Sequence, residues 1–124
     1  MRIFKTRLFM RWATKEGLTD KILYDAVQEM NTGLIDADLG GNVYKKRVSI
    51  KGRGKRGAFR TVLAFRIEER AFYLYGFAKN KRSNIGVKEL KALRFLAQKY
   101  LEYSNEELNK AIKSNAMIEV CTNG

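Results

Sequence analysis

Between residues 41 and 60 stand eight lysines and arginines, Lys45, Lys46, Arg47, Lys51, Arg53, Lys55, Arg56 and Arg60, with no acidic residue among them. Charges of one sign held this close repel one another, and a fold tolerates them best where an anion occupies the space between. A merely solvated surface more often mixes signs, as residues 15–29 and 105–113 do in this chain. Lys79, Lys81 and Arg82 form a second basic group further along. Arginine offers a planar fork that fits phosphate oxygens, and lysine a proton that can move. Chemistry on a phosphate backbone is what these residue types suit.

The rest of the composition narrows that chemistry. The chain of 124 residues carries a net charge of +12, with a pI near 10, which favours a polyanionic partner through counterion release. It has no histidine, so the usual general base and the commonest metal ligand are both missing. Zinc and Ser-His-Asp chemistry are excluded on that ground, and no cofactor is expected. Cys121 stands alone, as in a reducing cytoplasm, and the first residues lack the apolar stretch of a secretion signal. No run approaches the ~20 apolar residues of a membrane span. Cytoplasmic localisation, no membrane association and one domain over residues 1–124 are the expectations.

The elements that must position the cations follow from periodicity. Residues 2–6 read as an edge strand. Leu8, Phe9, Trp12 and Ala13 follow helical spacing, with Gly17 as a stop. A second helix opens at Thr19 or Asp20, buries Ile22, Leu23, Ala26, Val27 and Met30, and ends before Gly33. Residues 34–41, with Asp36 and Asp38, read as a solvated turn. Strands over 43–50, 58–67 and 71–78 then form an antiparallel meander, joined by the Gly-rich turn 51–57 and the tight turn 68–70. A long helix covers 87–103, with Leu90, Leu93, Phe95, Leu96, Tyr100 and Leu101 on its buried side. Ser104 and Glu107 match a capping box for a last short helix, and residues 117–120 suggest a terminal strand.

Strand alternation places Lys45 and Arg47 on one face and Lys46 on the other. Arg60, Val62 and Ala64 share a face opposite Phe59, Leu63 and Phe65, the side expected to pack against helices. Tyr73, Tyr75, Phe77 and Lys79 share a face opposite Phe72 and Leu74. If Lys45, Arg47, Arg60, Phe77 and Lys79 converge, they make a cationic groove with an aromatic floor, suited to single-stranded nucleic acid. The glycine-spaced turn has no Gly-Lys-Ser/Thr opening a helix, so nucleotide binding of the P-loop kind is not expected.

Taken in order, the run Lys45 to Val48, the turn Gly52 to Gly57, Phe59-Arg60 and the stretch Tyr75 to Asn80 resemble RelE/HigB-type toxins of type II toxin–antitoxin systems. The resemblance spans residues 2–105. It implies an α+β fold of the microbial-RNase kind, with N-terminal helices packed on a mostly antiparallel sheet and C-terminal helices closing it. It further implies metal-independent, ribosome-dependent cleavage of mRNA, and neutralisation by a cognate antitoxin, acidic or helix-turn-helix and HigA-like. Carried over by position, Lys45, Arg47, Arg60, Lys79 and Asn80 are the catalytic candidates. Lys46, Lys51, Arg53, Lys55, Arg56, Phe77, Lys81 and Arg82 are the RNA-binding ones. Two positions depart from the pattern: Asn80 stands where RelE has an arginine assigned as general acid, and Gly86 where it has an active-site tyrosine. HigB-like members often carry Lys-Asn at the positions of Lys79 and Asn80. The alternatives are a ParE-like gyrase inhibitor on the same fold and a non-catalytic RNA-binding regulator of translation.

Overall fold

The computed structural model describes residues 1–50, 58–79, 81 and 84–121. The order of elements is β1 (Arg2–Thr6), α1 (Arg7–Glu16), α2 (Asp20–Asn31), β2 (Ala37–Gly40), β3 (Val43–Ser49), β4 (Ala58–Arg66), β5 (Arg70–Ala78), α3 (Val87–Leu101), α4 (Asn105–Lys113) and β6 (Met117–Glu119). The six strands form one sheet in the order β2-β3-β4-β5-β1-β6. Among the described residues only β1 and β5 pair in parallel, so the fold is α+β with a mostly antiparallel sheet, as expected.

Local chemistry starts and stops the helices where the sequence signals it. The Thr6 and Thr19 hydroxyls accept the Phe9 and Ile22 N–H groups at the starts of α1 and α2. Gly17 ends α1 at φ 82°, a left-handed conformation that costs glycine nothing. Ser104 and Glu107 cap α4 reciprocally, at 3.1 and 2.9 Å.

Helices cover both faces of the sheet, not only the face of Phe59, Leu63 and Phe65. On that face α1 and α2 bury Phe9, Leu23, Val27 and Met30 against the strands. On the other, α3 and α4 bury Leu93, Ala97, Leu101 and Leu108 against Phe4, Val43, Val62, Ala64 and Phe72. Each of the larger of these side chains, the alanines apart, contributes roughly 1.5–3 kcal/mol by leaving water. Three expectations are corrected. Leu8 is 64% exposed and Phe95 69% exposed, so neither belongs to the core. Residues 37–40 form a strand rather than a turn: Asp36 N–H donates to Lys45 O, and Ala37 opposes Lys45. The alternation of β5 also breaks. Val62 opposes Tyr75 but Leu63 opposes Tyr73, so Leu74 is an extra, bulged residue. Tyr73 is thereby turned to the α1/α2 face, apart from Tyr75 and Phe77. There its hydroxyl donates to Leu23 O at 2.6 Å, its ring stacks on Phe9, and complete burial pushes its pKa well above the usual tyrosine value.

Two contacts generate predictions. A Cβ on Gly76 would lie 2.1 Å from the Trp12 ring, and a packed indole has nowhere to retreat. Gly76→Ala will therefore destabilise the fold by roughly 1–3 kcal/mol, read as a lowered denaturant midpoint. Asp20 ties the chain's two ends together, accepting from Lys5 Nζ at 2.7 Å and from Cys121 N–H at 2.9 Å. Burial works against its charge, but those hydrogen bonds and the Lys5 charge outweigh it and hold the carboxyl below its usual value of 3.8. A depressed folded-state pKa contributes stability that is present above the unfolded value and lost as pH falls through the folded one. Asp20→Asn will lower stability by about 1 kcal/mol at neutral pH. The thermal-unfolding midpoints of variant and wild type will converge as pH is taken well below 3.8.

Candidate nucleic-acid interface

Strand register builds the site in rows, because residues directly opposite on paired strands project to the same face, with Cβ atoms ~5 Å apart. Arg47 on β3 opposes Arg60 on β4, and Arg60 opposes Phe77 on β5. The next row, ~7 Å along the strands, is Lys45, Val62 and Tyr75; beyond the bulge come Val43, Ala64 and Phe72. Helix α3 closes an apolar cluster that holds Val43, Val62, Ala64 and Phe72, with Ile85, Leu90 and Tyr75 packed against it. The Arg47–Arg60–Phe77 row lies at the far end of that face.

Two arginines directly opposite each other in a sheet are a destabilising pair. Arg60 carries a second cost: its Nη1 is buried and has no hydrogen-bond partner among the described residues. Leaving a buried donor unmade costs roughly 1–3 kcal/mol, more for a charged group. Arg47 is exposed and Lys45 half-buried, and neither side chain makes a hydrogen bond or ion pair among the described residues. Lys79 follows Phe77 by two residues, in the turn that ends β5, and is exposed. Exposed Lys81 is tied to that turn through its N–H, which donates to Ala78 O. An oxyanion between Arg47 and Arg60 would relieve the repulsion and supply the missing acceptor.

Other candidate residues are placed differently. Lys46 is 6% exposed on the α2 side of the sheet, with Nζ 2.7 Å from the Glu29 carboxylate and 3.0 Å from Leu34 O. Its buried ammonium is paired with a carboxylate that is itself largely exposed, and it is not part of the basic row, because alternation turns it away from its neighbours. Phe77 is only 4% exposed, with its ring centroid 6.0 Å from that of Tyr75, so it offers no open platform for a base. Lys51, Arg53, Lys55, Arg56, Asn80 and Arg82 lie outside the described residues. Asp36, read from sequence as a turn residue, accepts the Arg47 N–H at 2.6 Å and so secures the end of β3 that presents the arginine. Nothing in its sequence neighbourhood marks that role. Among the described residues no three His, Cys, Asp or Glu side chains gather to hold a metal ion, and no helix is long and apolar enough to cross a membrane.

Comparison with family models matches residues 1–120 to the RelE toxin of the RelE / RelB toxin-antitoxin system. The match runs past residue 105, where the resemblance read from sequence ended, and takes in α4 and β6.

The placement of Lys46 and Arg47 on opposite faces predicts opposite behaviour for adjacent residues. Arg47→Met will weaken binding of single-stranded RNA and reduce the slope of log K against log salt by about 0.7, the loss of one phosphate contact. Lys46→Met will leave that slope unchanged and alter only thermal stability. Filter binding over a salt series, with a melt of each variant, reads both.

Proposed function

Because this chain belongs to the RelE toxin family, we propose that it is a metal-independent endoribonuclease that cuts mRNA on the ribosome and so halts translation. The observation that carries the reading is the Arg47–Arg60 pair, two cations directly opposed, with a buried guanidinium nitrogen that has no acceptor among the described residues. A phosphodiester is an anion that fits this arrangement. RNA brings its own nucleophile, so the protein has only to align the 2′-OH, move protons and stabilise the phosphorane.

In the proposed reaction Arg60 and Arg47 hold the scissile phosphate. Lys45 or Lys79 takes the 2′-OH proton as the 2′-oxygen attacks phosphorus, and the other protonates the departing 5′-oxygen as the P–O5′ bond breaks. The products are a 2′,3′-cyclic phosphate and a 5′-OH. Asn80 joins these residues by its place in the family pattern. Lysines are poorer proton shuttles near neutral pH than the missing histidine, which supports a substrate pre-aligned by the ribosome over free RNA. The family implies a cognate antitoxin, and the net charge of +12 would draw an acidic segment of it.

Translation-coupled primer extension tests the reading. Arg60→Ala will lower cleavage by about 10²–10³, the usual loss for one transition-state donor, and Lys79→Ala will also cut more slowly. A message with 2′-H at the cut site will stay intact. Wild-type cleavage by both variants, or cutting of the 2′-deoxy site, would overturn the mechanism.

A further inference from the structure

The edge of β5 beyond Tyr73 has no strand partner among the described residues, because β1 pairs only as far as Lys5 opposite Tyr73 and the chain then turns into α1. Across that edge lies a recess of about 310 Å³, walled by Trp12, Tyr75 and Phe77, with Gly76 at its floor and Lys15, Glu16 and Lys81 around it. Its volume is at the small end of ligand pockets, roughly 300–1,000 Å³, enough for a base and its ribose. Phe77 belongs both to this recess and to the Arg47–Arg60 row, so a strand crossing the row reaches the recess with its next nucleotides.

Glu16 is the unusual member. It is the last residue of α1, where the carbonyl end of the helix disfavours negative charge. It is half-buried and makes no hydrogen bond or ion pair among the described residues. A carboxylate is acceptor-only and takes two parallel donors. Of the four RNA bases only guanine presents two adjacent donors on its Watson–Crick edge, N1–H and the 2-amino group. Adenine and cytosine each place a ring acceptor beside their amino group, and uracil has one donor flanked by two carbonyls.

We infer that this recess is a guanine subsite, with Glu16 accepting from N1–H and N2–H, the half-buried aromatic rings of Trp12 and Tyr75 packing on the base, and Lys15 and Lys81 holding the flanking phosphates. The inference rests on the proposed single-stranded RNA substrate and adds its base preference. Stacking on aromatic side chains tolerates any base; the carboxylate supplies the selection.

Trp12 is the only tryptophan, so its indole N–H gives one assignable signal in a ¹⁵N-labelled sample. Titration with GMP will move that signal and the Gly76 amide saturably. IMP, which lacks the 2-amino group, will half-saturate at roughly tenfold higher concentration, the loss expected for one charge-assisted hydrogen bond, and AMP, whose N1 is an acceptor facing the carboxylate, at higher concentration still. Glu16→Gln will abolish the preference for GMP over AMP while leaving the melting profile unchanged, because a carboxamide offers one donor and one acceptor and no longer matches guanine's two donors. Equal half-saturation by GMP and AMP, an unmoved Trp12 signal at millimolar GMP, or a preference that survives Glu16→Gln overturns the subsite. None of these readouts involves cleavage, so failure here is distinct from failure of the nuclease reading, which the Arg60 variant tests on its own.

Discussion

Repulsion between Arg47 and Arg60 is the constraint the rest of the molecule must carry. Their register is fixed by the β3–β4 ladder, which pairs residues 43–49 with 58–64 without a shift. A like-charge pair directly opposite in a sheet costs on the order of 0.2–1 kcal/mol. Buried apolar side chains further along the same strands, Val43 and Val62 against Phe72 and α3, contribute more than that each. Apolar rows at one end therefore hold the strands together, so that charged side chains at the other end are kept close against their own preference. The site is built from strands, whose backbone geometry leaves little room to relax the clash by drifting apart.

The bulge at Leu74 decides which aromatic residues serve which face. Without it, a strict period of two would put Tyr73, Tyr75 and Phe77 on one side. One extra residue sends Tyr73 into the α1/α2 core, where its hydroxyl reaches Leu23 O and its ring meets Phe9. Tyr75 and Phe77 are left beside the basic rows. It also leaves Gly76 facing α1, where the Trp12 ring comes too close for any side chain to intervene. One inserted residue thus joins the packing of α1 to the floor of the candidate site.

Much of this was legible in the residues. The helix caps, the three central strands and the Lys45/Arg47/Arg60 face follow from short-range rules, since capping and alternation depend on neighbours a few positions apart. What escaped depends on partners distant in sequence. The bulge shows only in the pairing of β4 with β5. Residues 37–40 become a strand because Lys45 and Tyr44 lie alongside them, although Asp38, Gly40 and the preceding Asp36 argue locally for a turn. Phe95 satisfies the helical period, but α3 meets the sheet through Leu93, Ala97 and Leu101 and leaves that ring in water. Lys46 lies in an unbroken cationic run, and only α2, arriving with Glu29, shows that its charge is spent internally.

That division of the run Lys45, Lys46, Arg47 bears on how charge becomes function. A chain with a net charge of +12 would bind a polyanion loosely at many places if every cation faced outward. Here the strand period sends the middle lysine inward to a carboxylate and its neighbours outward to the row, so adjacent residues of like sign take different work. The outward pair meets Arg60, the cation whose guanidinium nitrogen is buried and, among the described residues, short of an acceptor. A site that lacks histidine has little intrinsic proton-transfer power to draw on. On the proposed reading its leverage lies in that unfilled acceptor position, which a phosphodiester occupies only when its oxygens lie between the two arginines.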